Sequence, residues 1–173
     1  MVCLATGRHR VIEKFATEEA PFHFTDSGLD NVYLIGIKYF IKEDGSTTAE
    51  IPAIKQLMRL IARDLLYSET PLRGQEIRFL RKRLGKRAAD FAQLLRIEAE
   101  TLSRYENEKQ DPSDPIDALV RMVYLMSSGD PELQEDANKL MHLLKEDMDR
   151  RGQKKIVMKI SAANEWSDMP AAA

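Results

Sequence analysis

Cysteine is almost missing from this chain. One thiol, Cys3, in 173 residues excludes an intramolecular disulfide and any zinc site built on several thiolates. Such usage suits a reducing compartment. Histidine is scarce as well: His9, His23 and His142 lie far apart in sequence, with no HxxxH or His–carboxylate spacing of a metal site. No apolar run approaches the roughly 18–20 residues of a membrane span, and the opening MVCLATGRHR lacks the apolar core of a signal peptide. A cytoplasmic protein without membrane contact is therefore expected. There is no Gly-rich phosphate loop, and Ser103 has no histidine placed to activate it. The carboxylate pairs Glu18-Glu19 and Glu43-Asp44 fall in an arm and a turn, where solvation accounts for them. Neither an enzyme nor a cofactor is expected. A surplus of positive charge is missing too: 26 Lys and Arg stand against 28 Asp and Glu, a net charge of −2. The chain as a whole cannot coat nucleic acid indiscriminately. DNA binding would have to come from local charge.

With 43% hydrophobic and 31% charged residues the chain can bury a core, in one ordinary domain or two small ones. The charge is unevenly spread. Residues 1–70 carry −2, residues 71–127 carry +2, residues 130–152 carry −3 and residues 153–173 carry +1. The positive segment opens densely: Arg73, Arg78, Arg81, Lys82, Arg83, Lys86 and Arg87 are opposed only by Glu76. A solvated helix face is the ordinary meaning of such a run.

Periodicity divides the chain further, into an α+β organisation. Residues 1–20 show little pattern and read as a mobile arm. Within 21–51, the run from Asn31 to Ile41 is rich in β-branched and aromatic side chains and lies between the turn signals Asp26-Ser27-Gly28 and Asp44-Gly45-Ser46. With Phe22-His23-Phe24 and Thr47 to Ile51 on either side, a three-stranded antiparallel meander is expected. Such a sheet is marginal without an element packed on it. Over 52–70, Pro52 as first helical residue and the stripe Ile54, Leu57, Met58, Ile61, Leu65 predict a connector helix. Five helices then fit 74–84, 87–95, 98–107, 115–126 and 131–150, the last with Asp130 as N-cap before Pro131. Residues 155–160 read as one terminal strand, followed by a tail holding the sole tryptophan, Trp166.

Short helices separated by three or four residues, with a sharp turn at Leu95-Arg96-Ile97, have the spacing of a helix-turn-helix. Ile77, Leu80, Leu84, Ala88, Phe91, Leu95, Ile97, Leu102 and Tyr105 fall where its core is needed. Ala99, Glu100, Ser103 and Arg104 are left facing outward, as side chains able to reach base edges in a major groove. The stretch EIRFLRKRLGKRAADFAQLLRIEAETLSRYENEKQDP, from Glu76 to Pro112, resembles a helix-turn-helix of the Xre/Cro repressor family, with its hallmark run Thr101 to Glu106-Asn107 followed by Pro112. Upstream, the run from Phe22 to Leu34 and the connector helix are similar to the MqsA-like (YgiT-type) antitoxins, which carry an N-terminal zinc-ribbon-like domain. Those relatives bind zinc through paired CxxC motifs. Here the second knuckle position reads Phe40-Ile41-Lys42-Glu43-Asp44-Gly45, so a homologous β-domain would be held without metal.

The resemblance implies roles. Arg81 matches an arginine that pairs with the glutamate ending the recognition helix, here Glu106. Arg104 matches a base-reading position, where bidentate bonding to guanine O6 and N7 supplies about 1–3 kcal/mol of discrimination. Glu100 matches a second reading position and can accept from cytosine N4, or it simply serves the helix dipole. Lys86, Arg87, Arg96 and Lys109 are the phosphate candidates. Two family glycines are replaced, by Arg96 in the turn and by Glu108 after Glu-Asn. Asn107 tolerates a left-handed backbone there, while Glu108 brings negative charge toward phosphates. The expectation is a homodimer on a double-stranded, palindromic operator, acting as a repressor, antitoxin-like and autoregulating. The alternative is a protein-interaction module that binds a toxin or other partner, motivated by the metal-free β-domain, the acidic segment 130–152 and the strand near Trp166.

Overall fold

The structure, a computed structural model, describes residues 11–130, 133, 156–161 and 164–168. It is mixed α+β, with five helices and two small sheets among the described residues. Two compact units emerge. A β unit holds the described parts of residues 11–26, 30–60 and 156–168. A helical unit holds residues 27–29, 61–130 and 133.

The β unit departs from the expected meander. The apolar run 31–41 is two strands, β3 (Val32–Ile35) and β4 (Lys38–Ile41), which belong to different sheets. Gly36 makes the break. Its φ is +83°, and a Cβ there would come within 2.9 Å of the Ile160 carbonyl oxygen, so both backbone hand and space demand glycine. β4 sits between β1 (Ile12–Phe15) and β5 (Thr47–Ala49), antiparallel to both. β1 lies in the segment expected to be a mobile arm. Ala16 behind it is buried, and its N–H and carbonyl bond the Ile37 carbonyl and the Gly36 N–H, each at 2.9 Å. β3 lies between β2 (Phe22–His23), antiparallel, and β6 (Ile156–Ile160), parallel. β7 (Trp166–Asp168) closes the order β2-β3-β6-β7. The strand expected over 155–160 is thus an interior member of a four-stranded sheet. Val32, Leu34, Ile35, Met158, Ile160 and Trp166 are among its buried side chains, and the Trp166 indole donates to the Pro52 carbonyl at 2.9 Å.

The connector helix is α1 (Ile54–Leu66). It begins two residues later than the proline signal suggests, because Ala53 takes a left-handed conformation, φ +48°. Leu57, Ile61 and Leu65 are buried, while Ile54 stays exposed.

In the helical unit α2 (Gly74–Arg83), α3 (Ala88–Leu94), α4 (Ala99–Glu106) and α5 (Asp114–Ser127) follow the predicted spacing. Of the expected helix over 131–150 only Leu133, helical and buried, is described; Cys3, His9 and His142 lie outside the described residues. Ile77, Leu80, Phe91, Leu95, Leu102 and Tyr105 form the core. Ala88, expected inside, is exposed at the first position of α3. A buried charged cluster ties α5 to the end of α1 and the loop that follows it. Arg121, 3% exposed, donates to the carbonyls of Leu65, Leu66, Ser68 and Thr70 at 2.8–2.9 Å and to Asp117 Oδ2 at 2.8 Å. Asp117 in turn accepts the Leu72 N–H at 2.6 Å. One guanidinium thereby satisfies carbonyls at the end of α1 and fixes the loop leading to α2.

Candidate nucleic-acid interface

Three consecutive helices end the same way, and those endings place the exposed side chains. In each, the second residue past the last helical one takes a left-handed backbone, and two N–H groups fold back onto the last carbonyls. Gly85 does this after α2 with φ +64°, Arg96 after α3 with φ +55° and Glu108 after α4 with φ +53°. The turn between α3 and α4 is closed by Arg96 N–H to Gln93 O (3.2 Å) and Ile97 N–H to Ala92 O (3.1 Å). Glu98, extended at φ −68° and ψ 145°, then starts α4. At the end of α4 the expectation needs correction: Asn107 is not left-handed, with φ −102°, and Glu108 carries the positive φ instead. A non-glycine residue in that region costs about 1 kcal/mol.

α4 is cleanly two-sided. Leu102, Tyr105 and Glu106 are buried, whereas Ala99, Glu100, Ser103 and Arg104 are all exposed. The buried carboxylate of Glu106 is gripped by Arg81, with Nε at 2.6 Å from Oε1 and Nη2 at 2.8 Å from Oε2. This fork holds the Arg81 guanidinium pKa above its ordinary value, the hydrogen bonds to Glu106 being the main cause. Arg81 also donates to the Lys86 carbonyl at 2.9 Å, tying the α2–α3 turn to the same anchor.

Two further arginines of the basic run belong to this anchor. Arg78 Nη2 donates to the Glu106 carbonyl (2.6 Å) and to Asn107 Oδ1 (2.7 Å), and Asn107 Nδ2 donates to the Ser103 carbonyl (2.7 Å). Arg73 pairs with Glu108 at 3.1 Å. Three guanidinium groups therefore sit at the C-terminal end of α4, where the helix dipole favours cations. Gly74 completes the junction. A Cβ there would collide with the Tyr105 carbonyl oxygen, a fixed backbone atom, so α2 can approach α4 only through glycine. Gly74→Ala is accordingly expected to destabilise the protein by about 2 kcal/mol or more, despite alanine's better helix propensity. A thermal melt showing an unchanged or higher midpoint would contradict this packing.

The remaining candidates separate into engaged and open groups. Arg104 is held by Glu100 at 2.7 Å across one turn of helix, both side chains being exposed. Arg87 is held by Asp90 at 2.8 and 3.0 Å. Their mutual hydrogen bonds raise the Arg87 pKa and lower that of Asp90. A depressed carboxyl pKa means that the pair is intact at neutral pH and is lost only as the pH falls through that lowered value. Lys86, Arg96 and Lys109 are exposed and have no ion-pair partner among the described residues, as is also true of Lys82 and Arg83. The structure thus brings Arg81 to Glu106 and Arg104 to Glu100. No group of three potential metal ligands occurs among the described residues, and no described helix is long and apolar enough to cross a membrane.

Comparison of the chain with protein-family models, with curated proteins and with solved structures yields no match. The functional reading therefore rests on the chemistry of the chain itself.

Proposed function

We propose that this chain is a sequence-specific DNA-binding regulator in which α3, the 95–98 turn and α4 act as a helix-turn-helix. The observation that carries this is the two-sidedness of α4. Its buried side is clamped by Arg81 and Glu106, while the opposite side displays short or polar side chains around Arg104. A rigid helix presenting Ala99, Glu100, Ser103 and Arg104 is suited to a major groove. Lys86, Arg96 and Lys109 are phosphate contacts, and Arg87 joins them on exchanging Asp90 for phosphate. Glu100 holds the Arg104 guanidinium toward its own turn of helix, so its role is to orient the reader. Two copies bound to a palindrome would set their recognition helices about 34 Å apart. The role that fits is repression, autoregulating in the manner of an antitoxin. Selection from a random duplex pool, followed by footprinting, tests the proposal: a two-fold-symmetric consensus is expected, and an unenriched pool would refute it.

The rival, a protein-interaction module that binds a toxin or another protein, draws support from one observation. Three of the seven cations between Arg73 and Arg87 are directed at Glu106, Asn107 or Glu108, and Arg87 itself is paired. Non-specific attraction to DNA is weakened accordingly. Glu108 also provides a sensitive variant, because it combines a left-handed backbone with a negative charge beside Lys109. Glu108→Gly is expected to raise DNA affinity severalfold at low salt and to steepen its salt dependence, with stability held or slightly improved. Fluorescence anisotropy with a labelled duplex measures both, and lowered affinity would show that Glu108 is itself a DNA contact.

A further inference from the structure

We infer that the β unit contains a binding site for a small cationic amphiphile, separate from the α4 face. A cavity of about 1130 Å³ opens where the chain leaves one sheet for the other at Gly36. It exceeds the ordinary size range of small-molecule sites, roughly 300–1000 Å³, and is far larger than a packing defect. Its floor is aliphatic, formed by Ile35, Ile37, Ile51 and Ile160, with Phe15 at 56% exposure beside it. Ile35, Ile37 and Ile160 are themselves largely buried, so Phe15 and Ile51 offer the apolar surface from which a ligand body favourably displaces water.

Charge selects the head group. Both lysines that line the cavity are already compensated, Lys159 by Glu18 at 3.2 Å and Lys38 by Glu13 at 3.4 Å. Glu19 and Glu50 line the same cavity and have no ion-pair partner among the described residues. The lining thus carries two uncompensated negative charges over an aliphatic floor. A primary amine or guanidinium with an aliphatic or aromatic body matches both features, whereas an anionic amphiphile of equal size meets repulsion.

The protein supplies its own reporter. Trp166 is the sole tryptophan; it donates to the carbonyl of Pro52, which lines the cavity, and is the ladder partner of Ile160. Its emission in the full chain can be titrated with decylammonium, decanoate and decanol, each below its micellar concentration. A saturable change is expected with decylammonium, at an affinity about tenfold or more above those of the other two. The Glu19→Gln/Glu50→Gln double variant, with unaltered circular dichroism, is expected to lose about that factor while retaining weak decanol binding. Equal affinities for the three probes, no saturable change with any, or wild-type affinity in the double variant would overturn the inference. So would decylammonium binding that appears only after residues 1–10 are removed, which would assign the groove to the chain's own first segment. Self-association abolished by the double variant would assign it to a second copy, with the same consequence.

Discussion

Arg121→Ala is expected to lower stability by about 3–5 kcal/mol. The loss has three parts. Asp117 would keep a buried negative charge with no cation beside it, and its residual bond to the Leu72 N–H cannot replace one. The carbonyls of Leu65, Leu66, Ser68 and Thr70 would lose their shared donor in a place where water has poor access. The volume of the arginine stem would also be left empty. At the lower end of the stability range of about 5–15 kcal/mol typical of native proteins, a loss near 5 kcal/mol is enough to unfold a sizeable fraction of molecules at room temperature. Arg121→Lys should recover little, because one ammonium cannot reach four carbonyls and a carboxylate in the same geometry. Urea denaturation followed by circular dichroism decides the matter. A midpoint lower by about 2 M is expected, and an unchanged midpoint would mean that the cluster contributes nothing net.

The second large effect concerns function. Arg104→Ala should leave folding intact, since the side chain is exposed and its pair with Glu100 is worth only a few tenths of a kcal/mol. Its expected cost is about 1–3 kcal/mol of discrimination at one base pair, a preference for guanine reduced by about fivefold to over a hundredfold. Glu100→Ala should give a weaker form of the same defect at that same base pair. If Glu100→Ala instead altered preference at a different base pair, Glu100 would be reading a base rather than orienting Arg104. Arg81→Ala is the structural counterpart: it frees a buried carboxylate, loosens α4, and should lower affinity for all sequences together with stability.

Much of the helical unit was legible because its signals are local. Helical period, the Glu106-Asn107 ending and Pro112 place four helices within a few residues of their true bounds. The Arg81–Glu106 pair came through family resemblance rather than spacing. Two further signals are equally local. Asp117 and Arg121 are two opposite charges four residues apart on a helix whose other charge, Asp114, stands at its first position, and this signals burial of an ion pair. Gly74 at the start of a helix marks a close backbone approach in the same way.

The β unit was less legible, for physical reasons. A continuous apolar run from 31 to 41 has the same composition whether it is one strand or two, and only the left-handed backbone of Gly36 divides it. β1 is four residues long and exposed throughout, so it carries no alternation that could distinguish a strand from an arm. The parallel pairing of β3 with β6 joins residues more than a hundred positions apart, which no local pattern encodes. At Asn107 the error was one residue: the polar side chain that best tolerates a positive φ sits beside the position where the helix ending requires it.

The central claim, that the exposed face of α4 reads DNA, is tested most directly by equilibrium titration of a selected duplex across a range of salt. Wild-type protein and Arg104→Ala are compared on the selected duplex and on a scrambled one. For a dimer neutralising about six to eight phosphates, log affinity should fall with log salt at a slope of about −5 to −7. Wild type should prefer the selected duplex, and Arg104→Ala should keep the slope to within about one unit while losing most of that preference. A flat salt response, or a preference untouched by Arg104→Ala, would contradict the account.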